Sequence, residues 1–334
     1  MRAPAFVLFL LLSFGCLSRG APDAPAGGYH DIQGNEANGS GGPDVDAGAI
    51  PDVQANASGV AAQPNRSGTE GPGNALGENE SGPILEKVIP SGGVAIAARW
   101  GDLGPRIVES GALNTAKLEA LMERNGRPLT DEQRAILENG SNNSIRIDRD
   151  NAYFVLNLFW GLGLANDNNV LRNFSAGIGG PAVGNLASTG FWSLGERSGR
   201  ELFASRKIIE LTESQQAIVN EVAGKTYRPC CDNPTAFPDC NHGMAALGLA
   251  EWMADQNASE GEIYDALLVA NSYWFPQAYV ESAAYLEYQN TSWEDAGARE
   301  LLSANRSSYS GYQDTKRGLD AFPPVDYGGA GCFA

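Results

Sequence analysis

Histidine is almost missing from this chain: its 334 residues include two, His30 and His242. A Ser-His-Asp triad would have to be built on His242, because His30 lies in a stretch that reads as flexible, and no G-x-S-x-G motif accompanies it. Basic residues are also few. Against 40 Asp and Glu stand 23 Lys and Arg, a net charge of −17. That balance excludes nucleic acid and anionic membrane surfaces as partners, since both are bound through clustered cations. Alternating strand-like runs are scarce, "GGVAIAARW" and "SIRIDR" being the two short candidates. The Gly-rich stretch from Ser175 to Gly199 has no strand before it and no helix start after it, which excludes a phosphate-cradling loop and leaves a packed surface loop carrying Phe191 and Trp192. No C-x-x-C or C-x-x-C-H motif is present, so haem attachment is excluded. No acidic pair stands out from the solvated carboxylates as a glycosidase site. The chain reads as a binding or structural protein rather than an enzyme.

The N-terminus is informative. Arg2 precedes the apolar run Phe6–Leu12 and then small residues and Cys16, the layout of a secretory leader over residues 1–20. The run is far short of the ~20 residues that span a bilayer. Ser13-Phe14-Gly15-Cys16 is similar to a lipobox, which makes Cys16 the candidate lipidation site. Cleavage after Gly20 is the alternative and would discard Cys16. Residues 21–83 are Gly, Asn, Pro and Ala with few large apolar side chains. They bury too little to offset their ordering entropy and are expected to be a disordered tether. Asn-x-Ser/Thr sequons occur at Asn38, Asn56, Asn65, Asn79, Asn139, Asn142, Asn173, Asn257, Asn290 and Asn305, as expected for an N-glycosylated surface protein. The whole then reads as extracytoplasmic, held at the cell surface by a lipid anchor, with a cell-envelope protein or glycan partner that the residues do not identify.

Residues 84–334 are expected to form one mainly α domain. "LTDEQRAILENG" pairs Thr130 with Gln133 as a capping box and ends on Gly140. "LTESQQAIVNEVAG" repeats the device with Thr212, Gln215 and Gly224. "SEGEIYDALLVANSYWF" offers Ser259 and Glu262, with Pro276 closing the run. From Tyr153 to Leu164 the chain is apolar nearly all round, which predicts a central buried helix.

Chemistry concentrates in "PCCDNPTAFPDCNHGM", Pro229 to Met244, which carries three of the five cysteines and His242. The residues after it predict a helix over Gly243–Gln256, capped by Asp239 or Asn241, so that Cys240 and His242 fall at its N-terminus. Free N–H groups and the helix dipole favour a thiolate there. Three readings follow. Cys230 or Cys231, with Cys240, His242 and the distant Cys332, supply the soft donors of a copper or zinc site, although adjacent side chains tend to diverge. Alternatively, two disulfides form, for example Cys231 with Cys240 and Cys230 with Cys332, giving a stapled structural or interaction module. The third reading is a redox thiol. Met244 reads as core filler.

The motif "YRPCC…FPDCNHGM", with the trailing "WFP" and the late Gly-Gly-x-Gly-Cys, resembles a family of uncharacterised exported prokaryotic proteins. The likeness extends upstream through "RWGDLGPRIVESGAL" and "ASTGFWSLG". A looser similarity is to the lipoproteins named for a Pro-Cys-Tyr-Cys-Gly-Cys motif, where this chain has Pro229-Cys230-Cys231 instead. These resemblances imply an exported protein with a cysteine-centred site and carry no activity.

Overall fold

The computed structural model describes residues 81–322. The expected leader with Cys16, the expected tether up to residue 80, and Cys332 lie outside the described residues. The fold is mainly helical, as the capping signals predict. It starts slightly earlier than the expected boundary at 84, with helix α1 at Ser81–Val88.

The two strand candidates pair with each other. Strand β1 (Val94–Gly101) and strand β2 (Ser141–Ile147) form a two-stranded antiparallel ribbon with Val94 opposite Ile147. Along β1 the inward positions are Ile96, Ala98 and Trp100, the period-two pattern of a half-buried strand. Between the strands run α2 (Leu103–Glu109), α3 (Thr115–Arg124) and α4 (Asp131–Asn139). The capping box at α4 is complete. Thr130 accepts from the Gln133 N–H, the Gln133 side chain accepts from the Thr130 N–H, and Gly140 closes the helix at φ 72°.

Helix α5 (Ala152–Ala165) is the buried helix expected from its apolar run, with only Tyr153 and Trp160 reaching partial exposure. The Gly-rich stretch that follows is not one loop. It is wound into the end of α6 (Asn169–Ile178), a 3-10 turn at Gly180–Asn185, α7 (Ala187–Gly190) and then, past a bend, α8 (Gly199–Leu202). The aromatic pair within it divides: Trp192 is buried against Trp160, whereas Phe191 is 76% exposed.

The remaining elements are α9 (Glu213–Lys225), α10 (Asn241–Asp255), α11 (Glu260–Trp274), α12 (Pro276–Tyr288), the short turns α13 (Trp293–Ala296), α14 (Ala298–Leu301) and α15 (Ala304–Ser307), and α16 (Tyr309–Leu319). The capping boxes at Thr212 and Ser259 form as predicted. Two expected stops are displaced. Helix α9 runs past Gly224 to Lys225, and Pro276 opens α12 at its first helical position, where its missing N–H costs nothing.

Helices α5 and α10 are the centre of the core. They cross backbone to backbone, because a Cβ on Gly163 would stand 2.1 Å from the Met244 carbonyl oxygen and one on Gly248 would stand 2.3 Å from that of Phe159. Met244 is fully buried in this crossing, the core role its type suggested. The crossing fixes α10 rigidly and so fixes the position of its N-terminus. Among the described residues, no helix is long and apolar enough to cross a membrane.

Candidate metal centre

The segment from Thr226 to Cys240 joins α9 to α10 and is pinned at many points. Thr226 and Thr235 bond to each other through backbone and side chain, Ala236 donates to the Ala223 carbonyl, and Tyr227 donates to the Leu302 carbonyl. Phe237 packs edge-on to Phe174 at 4.6 Å. The Tyr309 N–H bonds the Cys231 carbonyl, and Asp232 accepts from both the N–H and the hydroxyl of Ser310. Such anchoring gives a loop the rigidity that a preformed site requires.

Within this frame the chain turns sharply at Arg228-Pro229-Cys230-Cys231, closed by the Cys231 N–H donating to the Arg228 carbonyl at 3.4 Å. Proline at the second position pre-sets the turn. The turn corrects one expectation. Neighbouring side chains diverge on extended backbone, but here Cys230 and Cys231 converge, and both join Cys240. The three sulfurs all lie within 4.8 Å of one another. Cys230 is exposed, while Cys231 and Cys240 are half-buried.

The cap of α10 is also corrected. It is neither Asp239 nor Asn241 but Cys240 itself, whose Sγ accepts from the Gly243 N–H at 3.4 Å. The disulfide expected between Cys231 and Cys240 is not formed, and all three described cysteines are free thiols. The Cys230 and Cys240 sulfurs stand 3.5 Å apart.

The residue that organises the cluster is Arg228, which the sequence reasoning missed. It is fully buried. Its Nε donates to the Cys240 sulfur at 3.0 Å, and its Nη2 forms an ion pair with Asp239 Oδ1 at 2.7 Å. The carbonyls of Asn233 and Phe237 take further hydrogens, and the Asn233 amide donates to the other Asp239 oxygen. A buried cation is tolerable only when paired and fully hydrogen-bonded, and here a carboxylate and a sulfur share that task. Gly243 makes room for it, since a Cβ there would meet the Arg228 Cζ at 2.4 Å.

The electrostatics follow from this packing. Hydrogen bonds from Cys230 and Cys231, opposed by burial and aided by the Arg228 charge and a bond from His242, hold the Cys240 thiol well below its ordinary value. Hydrogen bonding to Cys231 and Cys240 pushes the Cys230 thiol up. For Cys231, the bond to Cys230 pulls down, but the bond to Cys240 and burial outweigh it and raise the thiol to about 11. Burial works against the Arg228 charge, yet the sulfurs around it overcome this and hold the guanidinium protonated.

His242 stands beside the sulfur set rather than within it. It reaches Cys240, its ring lies 4.3 Å from that of Phe275 and 5.9 Å from that of Trp274, and its Nε2 is buried without a partner. The clefts of about 860 Å³ elsewhere on the molecule, one floored by Trp100 and Phe154, contain no cysteine. One sequence signal pointed to Arg228: it is the only basic side chain between Lys225 and His242, in a run containing three thiols and two aspartates. Comparison with family models, with curated proteins and with solved structures finds no match for this chain.

Proposed function

We propose that this chain binds a soft metal ion, copper(I) or zinc, through Cys230, Cys231 and Cys240, in an exported protein tethered at the cell surface. The observation that carries the reading is the approach of three sulfurs within 4.8 Å. An ion about 2.3 Å from each sulfur holds them roughly 3.8 Å apart in a tetrahedral set, a separation this cluster reaches with small side-chain rotations. Thiolate ligands select copper(I) and zinc over harder ions. The Cys240 thiol is held well below its ordinary value and its sulfur is fixed from behind by Arg228 and the Gly243 N–H, so one ligand is oriented before the ion arrives. His242, which reaches Cys240, and the distant Cys332 are the candidates for a fourth ligand.

The cellular setting rests on the leader-like N-terminus, the lipobox-like Cys16 and the resemblance to exported prokaryotic proteins. The sequons at Asn139, Asn142, Asn173, Asn257, Asn290 and Asn305 all have exposed asparagines, as glycan attachment requires. The test is elemental analysis together with thiol titration on one anaerobic preparation. One ion per chain, lost in Cys240→Ser and Cys231→Ser, is expected. Free thiols with no ion bound at saturating copper(I) or zinc would refute the reading.

A further inference from the structure

The metal reading treats the three sulfurs as equivalent ligands, but their surroundings differ. Cys231 faces the Asn233 carbonyl at 3.9 Å and Asp239 Oδ1 at 3.8 Å. Cys240 is fixed by Arg228 and Gly243. Cys230 sits exposed at the corner of the turn, with its sulfur 3.5 Å from that of Cys240. A disulfide needs about 2.05 Å, about 1.5 Å less than the 3.5 Å at which these two sulfurs stand. Joining Cys230 to Cys231 would instead close a strained ring across a single peptide bond.

We propose that Cys230 and Cys240 form a redox pair that exchanges with the disulfides of small thiols. Cys230 meets the substrate and Cys240 completes the protein disulfide. The inference uses two sulfurs of the proposed metal centre but does not depend on an ion binding there.

Cys230 gives its proton to water and, as a thiolate, attacks one sulfur of the substrate disulfide. The sulfur–sulfur bond of the substrate breaks, one thiolate leaves, and the other half stays on Cys230 as a mixed disulfide. Cys240 gives its proton to the departing thiolate and attacks the Cys230 sulfur. The second substrate thiolate then leaves, taking a proton from water. Two electrons have moved from the protein dithiol to the substrate, which emerges as two thiols.

The test uses the full chain, reduced and stripped of metal with a chelator, incubated with oxidised glutathione, trapped by alkylation and mapped by mass spectrometry. The expected product is a Cys230–Cys240 disulfide with two glutathione molecules released per chain. Cys231→Ser should retain it. Cys240→Ser, which keeps a good helix cap, should stop at a glutathione adduct on Cys230, and Cys230→Ser should give no internal disulfide. Reduced glutathione should reopen the bond. Thiols that stay reduced, or linkage of Cys230 to any other cysteine, would overturn the pair, and a bond that reduced glutathione cannot reopen would overturn the exchange. Ion titration of the reduced protein reports separately on the metal reading.

Discussion

Replacing Gly243 with alanine is the sharpest probe of the site, because two well-understood effects oppose each other in sign. Gly243 lies in the first turn of α10, where alanine should favour the helix by about 1 kcal/mol over glycine. The new Cβ, however, would stand 2.4 Å from the Arg228 Cζ and 2.5 Å from its Nη2. Restoring ordinary contact requires the guanidinium to retreat by about 1 Å, which carries the 3.0 Å bond to Cys240 and the 2.7 Å bond to Asp239 out of hydrogen-bonding range. Breaking a buried ion pair on one side costs about 3–5 kcal/mol, so the net loss should be about 2–4 kcal/mol. Urea unfolding of the reduced, chelator-treated protein measures this as a fall in midpoint at unchanged slope. A variant as stable as the parent, or more stable, would show that Arg228 is not a closely held organiser of the cluster.

Other perturbations test other parts of the argument. Glu251 is buried, accepts from the Asn166 amide at 2.9 Å on one oxygen and has no partner on the other; burial raises its carboxyl well above the usual 4.5. The stability it permits is fully present below that ordinary value and is lost as pH rises through the raised one. Glu251→Gln should therefore match the parent in acid and exceed it by about 1–3 kcal/mol at pH 8, and a pH-independent difference in unfolding free energy would contradict this. Because the Cys230 and Cys231 thiols are raised while Cys240 is lowered, ion binding should release protons chiefly from Cys230 and Cys231, and apparent affinity should climb with pH near neutrality. Ion titrations of the Cys332→Ser chain at several pH values measure that slope, and a pH-independent affinity would contradict it. Thr130→Ala should cost about 1 kcal/mol through loss of the α4 cap, read from thermal unfolding.

The sequence exposed the helical scaffold because helix ends are written locally. Thr130 with Gln133, Thr212 with Gln215 and Ser259 with Glu262 each satisfy their own backbone groups within four residues, so they could be read without tertiary information. The ribbon was legible for the same reason, from the alternation along β1. The site was legible only as a concentration of thiols. Its arrangement depends on a turn that brings adjacent cysteines together and on a charge placed in the interior, and neither has a periodic signature. Arginine is usually a surface residue, so nothing local marked Arg228 as buried. The same blindness hid the cap: thiols are weak acceptors, and Asp239 and Asn241 looked better placed than Cys240.

The charge held inside the cluster links its two proposed activities. Arg228 holds the Cys240 sulfur through its Nε–H, and both an ion and a disulfide bond draw on that same sulfur. They also share Cys230, so the two states exclude each other. If an ion occupies the reduced cluster, oxidation must wait for it to leave. With free ion at about 100 times its dissociation constant, the open cluster is about 1% populated, and disulfide formation with oxidised glutathione should slow by about 100-fold. Following thiol loss and ion release in one reaction separates the outcomes. Parallel curves, with the ion appearing in solution as the Cys230–Cys240 bond forms, are expected. Oxidation at an undiminished rate with the ion still bound would mean that metal and disulfide use different sulfurs, and Arg228 could not then be the element coupling them.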